Sequence, residues 1–106
     1  MTDSPSDLPH EFARRFNAGD ATALYQLYEP GALLLGPLEE HLALRKQLAV
    51  SPRDVLVCGD LALLIVDWSI TGSDIEATGT DVARRGADGQ WRYVIDNPFG
   101  VARDTG

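Results

Sequence analysis

The hydrophobic period of this chain changes near residue 52. Before that point apolar residues recur every three or four positions; after it they recur every second one. Leu8, Phe12 and Phe16 stand four apart and so share one face of a helix. Asp7 is the expected N-cap, with Pro9 in the first turn. Gly19 ends that helix and Asp20 caps a second one, whose stripe is Leu24, Leu27 and Tyr28. The Pro30-Gly31 pair stops it. Residues 32–36 are a short apolar run that predicts a buried strand. Residues 38–49 predict a third helix, with Leu38, Leu42 and Leu48 turned inward and Ser51-Pro52 as its break.

The alternating part predicts an antiparallel meander. Residues 53–58 form a strand, and Gly59-Asp60 supplies a tight hairpin turn. Residues 61–71 form the longest strand. Leu64, Val66, Trp68 and Ile70 share its inner face, and Leu63, Ile65, Asp67, Ser69 and Thr71 its outer face. A strand over 75–85 follows, then a turn at Ala87-Asp88-Gly89, then a last strand over 90–97. Helices first and a meander afterwards argue for an α+β fold with the helices on one face of the sheet.

Length and composition narrow the rest. A chain of 106 residues has room for a single domain, 1–106, with small polar ends at 1–6 and 101–106 that are expected to fray. Hydrophobic content of 44% is enough for a packed core without disulfide or metal. The net charge of −7 argues against nucleic acid and anionic membrane as partners, since both are bound by basic patches. The opening MTDSPSDLPHEF has neither a basic nor an apolar stretch of the secretory kind, and the single cysteine, Cys58, fits a reducing compartment. A cytoplasmic location is the expectation.

Three segments resemble one superfamily. FNAGDATALYQLYEPGALLLGP at 16–37 is similar to the opening, and VDWSITG at 66–72 and WRYVIDNPFG at 91–100 to the central and final strands, of the SnoaL-like, ketosteroid-isomerase-like domains of the nuclear-transport-factor-2-like superfamily. The likeness is strongest to bacterial members, and residues 38–52 are shorter than is usual. The resemblance implies a cone-shaped, cystatin-like fold. Three N-terminal helices would pack on a strongly curved, mainly antiparallel sheet around an apolar pocket.

It also implies where chemistry would sit. Ketosteroid isomerases remove a proton beside a carbonyl with a carboxylate base, and hold the enolate with a tyrosine and a protonated aspartic acid. The position of the base, before a proline, is here Gly36 before Pro37; that of the tyrosine is Phe12; that of the donor is Asp81. The usual base is therefore missing. The related epoxide hydrolases use an aspartate–arginine–aspartate group, and no Arg-x-Asp occurs on a strand. By alternation and resemblance the pocket is lined by Leu64, Val66 and Trp68, by Asp81 and Ala83, by Tyr93, Ile95, Asn97 and Phe99, and by Phe12, Phe16 and Tyr28.

Asp81 is the catalytic candidate, as general acid/base; Trp68, Asn97, Tyr28, Phe12, Phe16, Val66, Tyr93 and Phe99 are candidates for binding a small apolar molecule. Each has a plainer reading. Asp81 can be solvated near a strand end, Trp68 can be core, Asn97 can satisfy backbone before Pro98, and Tyr28 can edge the helix stripe. No cofactor or metal is expected: His10 and His41 share no ligand spacing with each other or with Cys58, and Glu39-Glu40-His41 reads as a solvated helix start. Cys58 reads as an inert buried thiol. Two functional classes remain open, a cofactor-free isomerase or cyclase and a non-catalytic ligand-binding or dimerisation module. Under both, the apolar outer face at Leu63 and Ile65 predicts a homodimer.

Overall fold

A computed structural model of the chain describes residues 2–101. Three helices and five strands follow in the order α1 (Asp7–Asn17), α2 (Ala21–Tyr25), β1 (Tyr28–Leu34), α3 (Leu38–Ala43), β2 (Leu48–Cys58), β3 (Leu61–Ile70), β4 (Glu76–Arg85) and β5 (Trp91–Asp96). The sheet order is β1-β5-β4-β3-β2. Every neighbouring pair is antiparallel except β1 with β5. This is the expected α+β architecture. No helix among the described residues is long and apolar enough to cross a membrane.

The α1 stripe folds as its spacing dictates: Leu8, Pro9, Ala13 and Phe16 are buried. Asp7 is the first helical residue and not the cap. Its carboxylate accepts from the Ser4 N–H at 3.0 Å and so secures the preceding turn. Glu11 lies on the buried side of α1 and is paired with Arg14 and Arg15. The Asp20 side chain caps α2, accepting from the Ala23 N–H at 3.0 Å. The expected fraying of 1–6 does not extend to Thr2, which is buried and bonded to the backbone of Trp91 and the side chain of Gln90. Met1 and residues 102–106 lie outside the described residues.

Three boundaries moved, each because a long-range pairing outcompeted a local signal. The second helix stops at Tyr25, since the Leu27 carbonyl accepts from the Tyr93 N–H at 2.8 Å and draws Tyr28 into β1. Pro30-Gly31 then lies inside an edge strand, at its register shift, where a missing N–H costs no ladder bond. The third helix was expected to reach residue 49 but ends at Ala43, with Arg45 left-handed at φ 54° just beyond. Asn17, at the end of α1, grips Leu48 from both sides: its side chain donates to the Leu48 carbonyl at 3.0 Å and accepts from the Leu48 N–H at 2.6 Å. From there the chain runs as β2, the other edge strand, through Pro52 and a register shift.

The core is continuous across the inner sheet face. Ala62, Leu64, Val66 and Ile70 of β3, Ala83 of β4 and Trp91 and Tyr93 of β5 are all buried against Leu8, Phe16, Leu24, Leu27, Leu38 and Leu48. Cys58 corrects the sequence reading, being exposed at the outer end of β2.

Asn17→Ala removes both bonds to a half-buried backbone and leaves its groups unpaired. The expected cost is about 1–3 kcal/mol, measured as a lower urea midpoint with an unchanged slope.

Candidate functional site

A cavity of about 70 Å³ lies between α1, α3 and the inner sheet face. Its walls are mostly apolar. Phe12 and Phe16 come from α1, Leu38 and His41 from α3, Leu48 and Val50 from β2, Val66, Trp68 and Ile70 from β3, and Tyr93 from β5. Two carboxyl groups, Asp81 of β4 and Asp96 of β5, are set into this apolar lining. Among the described residues no group of three or more His, Cys, Asp or Glu could hold a metal ion.

Asp96 arrives through one extra residue. Opposite β4, the pairs Arg85–Trp91, Arg84–Arg92 and Ala83–Tyr93 keep one register, and the next pair is Val82–Ile95. Val94 is the inserted residue, a β-bulge. Continued past the bulge, that register sets Asp96 across from Asp81. Without it Ile95 would face the cavity, as strict alternation predicts. The sequence reading placed Ile95 inward for that reason and missed Asp96.

The two carboxyls lie close enough to influence each other's ionisation. Asp96 also accepts from the Tyr28 hydroxyl, and Asp81 Oδ1 accepts from the Asn97 N–H at 2.9 Å. Burial pushes the Asp81 carboxyl up, and the Asp96 charge raises it further, to about 8. Burial raises Asp96 as well, but the Tyr28 hydroxyl and Asp81 oppose that shift. Like charges this close do not both ionise in an apolar wall, so the pair holds one proton at neutral pH. The Tyr28 donor favours the carboxylate form at Asp96, while burial and the Asp96 charge favour the acid form at Asp81. Burial drives the Tyr28 and Tyr93 hydroxyls well above their ordinary range, so both remain neutral.

Of the residues picked from sequence, Asp81, Trp68, Val66, Phe12, Phe16 and Tyr93 meet at the cavity. The other six do not line it: Leu64 and Ala83 lie in the core, Ile95 is turned aside by the bulge, and Tyr28, Asn97 and Phe99 have other partners. The Tyr28 hydroxyl is spent on Asp96. The Asn97 side chain donates to Thr80 Oγ1 at 3.0 Å and the Gly100 carbonyl at 3.2 Å, so it braces the chain around Pro98. Phe99 packs edge-on against Trp68 at 5.4 Å. Ala83 is fully buried in the core. Trp68 lines the cavity while its Nε1 donates to the Pro98 carbonyl at 2.6 Å.

His41 was read as part of a solvated helix start. Instead it lies 5.8 Å from the Trp68 ring and 6.3 Å from Phe99, and lines the cavity. Burial lowers its pKa, which favours the neutral imidazole. Its four-residue offset from Pro37, about one helical turn, was the only available signal. Gly36 also lines the cavity, in the place of the missing base. A Cβ there would fall 2.4 Å from Cγ of the Pro98 ring. The closed ring cannot yield as a flexible side chain would, so this wall accepts no side chain.

No family profile matches the chain, and no curated protein matches it in sequence. Solved structures do match in fold. One, from Thiobacillus denitrificans, bears the provisional name of a calcium/calmodulin-dependent protein kinase type II association domain; it is 19% identical, with 92% of this chain and 94% of that one covered and a TM-score of 0.76. A nuclear-transport-factor-2-like protein of unknown function from Shewanella oneidensis is 19% identical, covering 88% and 97%, with a TM-score of 0.66. A ketosteroid isomerase-like protein from Erwinia carotovora atroseptica is 16% identical, covering 86% and 88%, with a TM-score of 0.60. The chain has the nuclear-transport-factor-2-like, ketosteroid-isomerase-like fold that its sequence resembles.

The raised Asp81 carboxyl makes stability depend on pH. In the unfolded chain Asp81 loses its proton in the ordinary carboxylate range; in the folded chain it keeps it to about 8. Stability is therefore highest below that range, falls as pH rises through the window and levels off above it. Glu11 and Asp88, held down to about 2 by Arg14 and Arg92, titrate below the window. His41 acts with the opposite sign but equally in both proteins compared. Asp81→Asn cannot ionise. Its stability should rise relative to the unaltered protein by an amount that widens between pH 5 and pH 8, at up to about 1.4 kcal/mol per pH unit, read as a growing difference in Tm. Parallel Tm curves would refute the buried acid.

Proposed function

We propose that the cavity binds a small, uncharged, apolar carbonyl compound and that Asp81 serves it as general acid/base. The observation that carries this reading is a buried Asp81 carboxyl, raised towards its neutral form, set with Asp96 into the mostly apolar wall of a half-open cavity. Such a group donates a hydrogen bond to a carbonyl oxygen and strengthens that bond as charge develops there. A single buried carboxylate beside it disfavours anionic ligands. The volume limits size: where one water needs roughly 10–15 Å³, about 70 Å³ admits a molecule of only a few non-hydrogen atoms. The usual isomerase base is absent at Gly36, and the packing against Pro98 gives the reason.

The test is a size series read by saturation-transfer NMR. Acetone and cyclopentanone should bind, a fused bicyclic ketone should not, and acetate should bind at least tenfold more weakly than acetone. Val66→Phe fills the wall and should cost at least tenfold in cyclopentanone affinity, and Asp81→Asn should abolish turnover once a substrate is known. Ketone binding unchanged by Val66→Phe would sink the site.

The outer sheet face supports a further element of this reading, a homodimer. Leu56, Leu61 and Leu63 are exposed there, next to Cys58 and Val82. That apolar cluster is contiguous across β2, β3 and β4, and a second copy of the chain is its proposed cover. If the module is non-catalytic, this face is its working surface. Sedimentation at micromolar concentration should show a dimer, and Leu63→Glu with Leu56→Glu should give a folded monomer. A monomeric unaltered protein would overturn the dimer.

A further inference from the structure

We infer that His41 is a specificity-determining residue of the cavity. It reads a hydroxyl group on the guest, away from the carboxyls, so that the site takes a small uncharged hydroxyketone in preference to a plain ketone. The inference rests on the carbonyl-binding reading above and narrows the class of guest.

The polar groups of the lining fall into two sets. Asp81, Tyr93 and Asp96 stand together on the neighbouring strands β4 and β5. His41 stands apart from them on α3, whose other contribution to the lining, Leu38, is apolar. The Trp68 Nε1 belongs to neither set, being spent on the Pro98 carbonyl. In a cavity of about 70 Å³ one small guest touches both sets at once.

The ring of His41 is held in place. Its N–H donates to the Pro37 carbonyl at 3.0 Å, which sets the residue one turn into the helix. The imidazole lies 5.8 Å from Trp68 and 6.3 Å from Phe99, and those two rings lie 5.4 Å from each other. It thus completes an aromatic corner whose tryptophan is already pinned by Pro98. A side chain so placed loses little rotamer freedom when a guest binds.

The nitrogens of that ring are available. Among the described residues no protein group hydrogen-bonds either of them, whereas Asp81 has the Asn97 N–H and Asp96 the Tyr28 hydroxyl. Every described side-chain polar atom that is sealed from solvent has a partner, so the His41 nitrogens open onto the cavity or its mouth. Burial favours the neutral ring against the pull of Glu40 on the same helix. One nitrogen then donates and the other accepts. A hydroxyl suits such a ring in either tautomer, since it donates to the bare nitrogen or accepts from the N–H. A methyl group in the same place strips water from the nitrogens and leaves them unpaired, which costs more than a made bond gains. A site that pairs a guest hydroxyl therefore rejects the analogue lacking it.

The experiment titrates the intact protein with two ketones by saturation-transfer NMR at neutral pH. Hydroxyethyl methyl ketone has a terminal hydroxyl where methyl propyl ketone has a terminal methyl, and the two match in non-hydrogen atoms. The unaltered protein should bind the hydroxyketone about fivefold more tightly. His41→Phe keeps a ring against Trp68 and Phe99 but has no nitrogen. It should lose about tenfold in hydroxyketone affinity, hold methyl propyl ketone within about twofold, and so reverse the preference. His41→Gln retains a donor and an acceptor and should still favour the hydroxyketone. Equal binding of the two ketones by the unaltered protein, a preference unchanged in His41→Phe, or both ketones weakened alike there would overturn the role of His41 and leave the carbonyl-binding reading standing. The first of these outcomes needs no variant and decides the matter even if His41→Phe fails to fold. Binding of neither ketone would overturn both the reading and the inference.

Discussion

Two carboxyl groups in one apolar wall can hold one charge between them, and much of the site is arranged around that limit. Asp81 and Asp96 would each cost several kcal/mol to bury as isolated ions. Sharing a proton reduces the pair to a single charge, and Tyr28 and the Asn97 N–H supply hydrogen bonds to its oxygens. Among the described residues no buried side-chain polar atom is left without a partner. The Asn97 side chain, which bridges Thr80 and Gly100, and the Trp68 bond to the Pro98 carbonyl hold the backbone that carries this arrangement. Residues that looked like ligand contacts in the sequence are in fact the frame that keeps one proton between two acids.

What could be read from the sequence was whatever depends on period. The inner face of β3 followed alternation through Leu64, Val66 and Ile70, and Phe12 and Phe16 followed helical spacing. Asp81 was found because β4 is regular up to the bulge that faces it. Asp96 was hidden because a bulge reverses parity and leaves no mark in the polarity of VID at 94–96. The end of α3 was hidden for another reason. Its stop is imposed by Asn17, which is 31 positions away from Leu48 and belongs to a different element. His41 and Cys58 were misplaced by analogous long-range effects, one drawn against Trp68 and the other left outside an edge strand.

Fold and chemistry separate here in a specific way. The chain shares its architecture with proteins at under 20% identity, and such a likeness transmits no reaction. Gly36 shows how the divergence is built. Its contact with the Pro98 ring closes one wall of the cavity to any side chain. The two carboxyls stand on β4 and β5, in the sheet itself. A site on paired strands is held more rigidly than one on a strand end, because each carboxyl is fixed by two backbone ladders.

The roof over this site has a different character. It is a helix of six residues between Pro37 and the Asn17 grip on Leu48, held to the cavity chiefly by Leu38 and by His41 against Trp68 and Phe99. A segment so short and so lightly packed opens locally at a small fraction of the cost of unfolding the sheet. Under the proposed binding reading, entry and escape would be timed by the roof and, His41 apart, affinity set by the wall beneath it, so that substitutions elsewhere in the 37–47 segment would tune how long a guest stays and leave the carboxyl pair untouched.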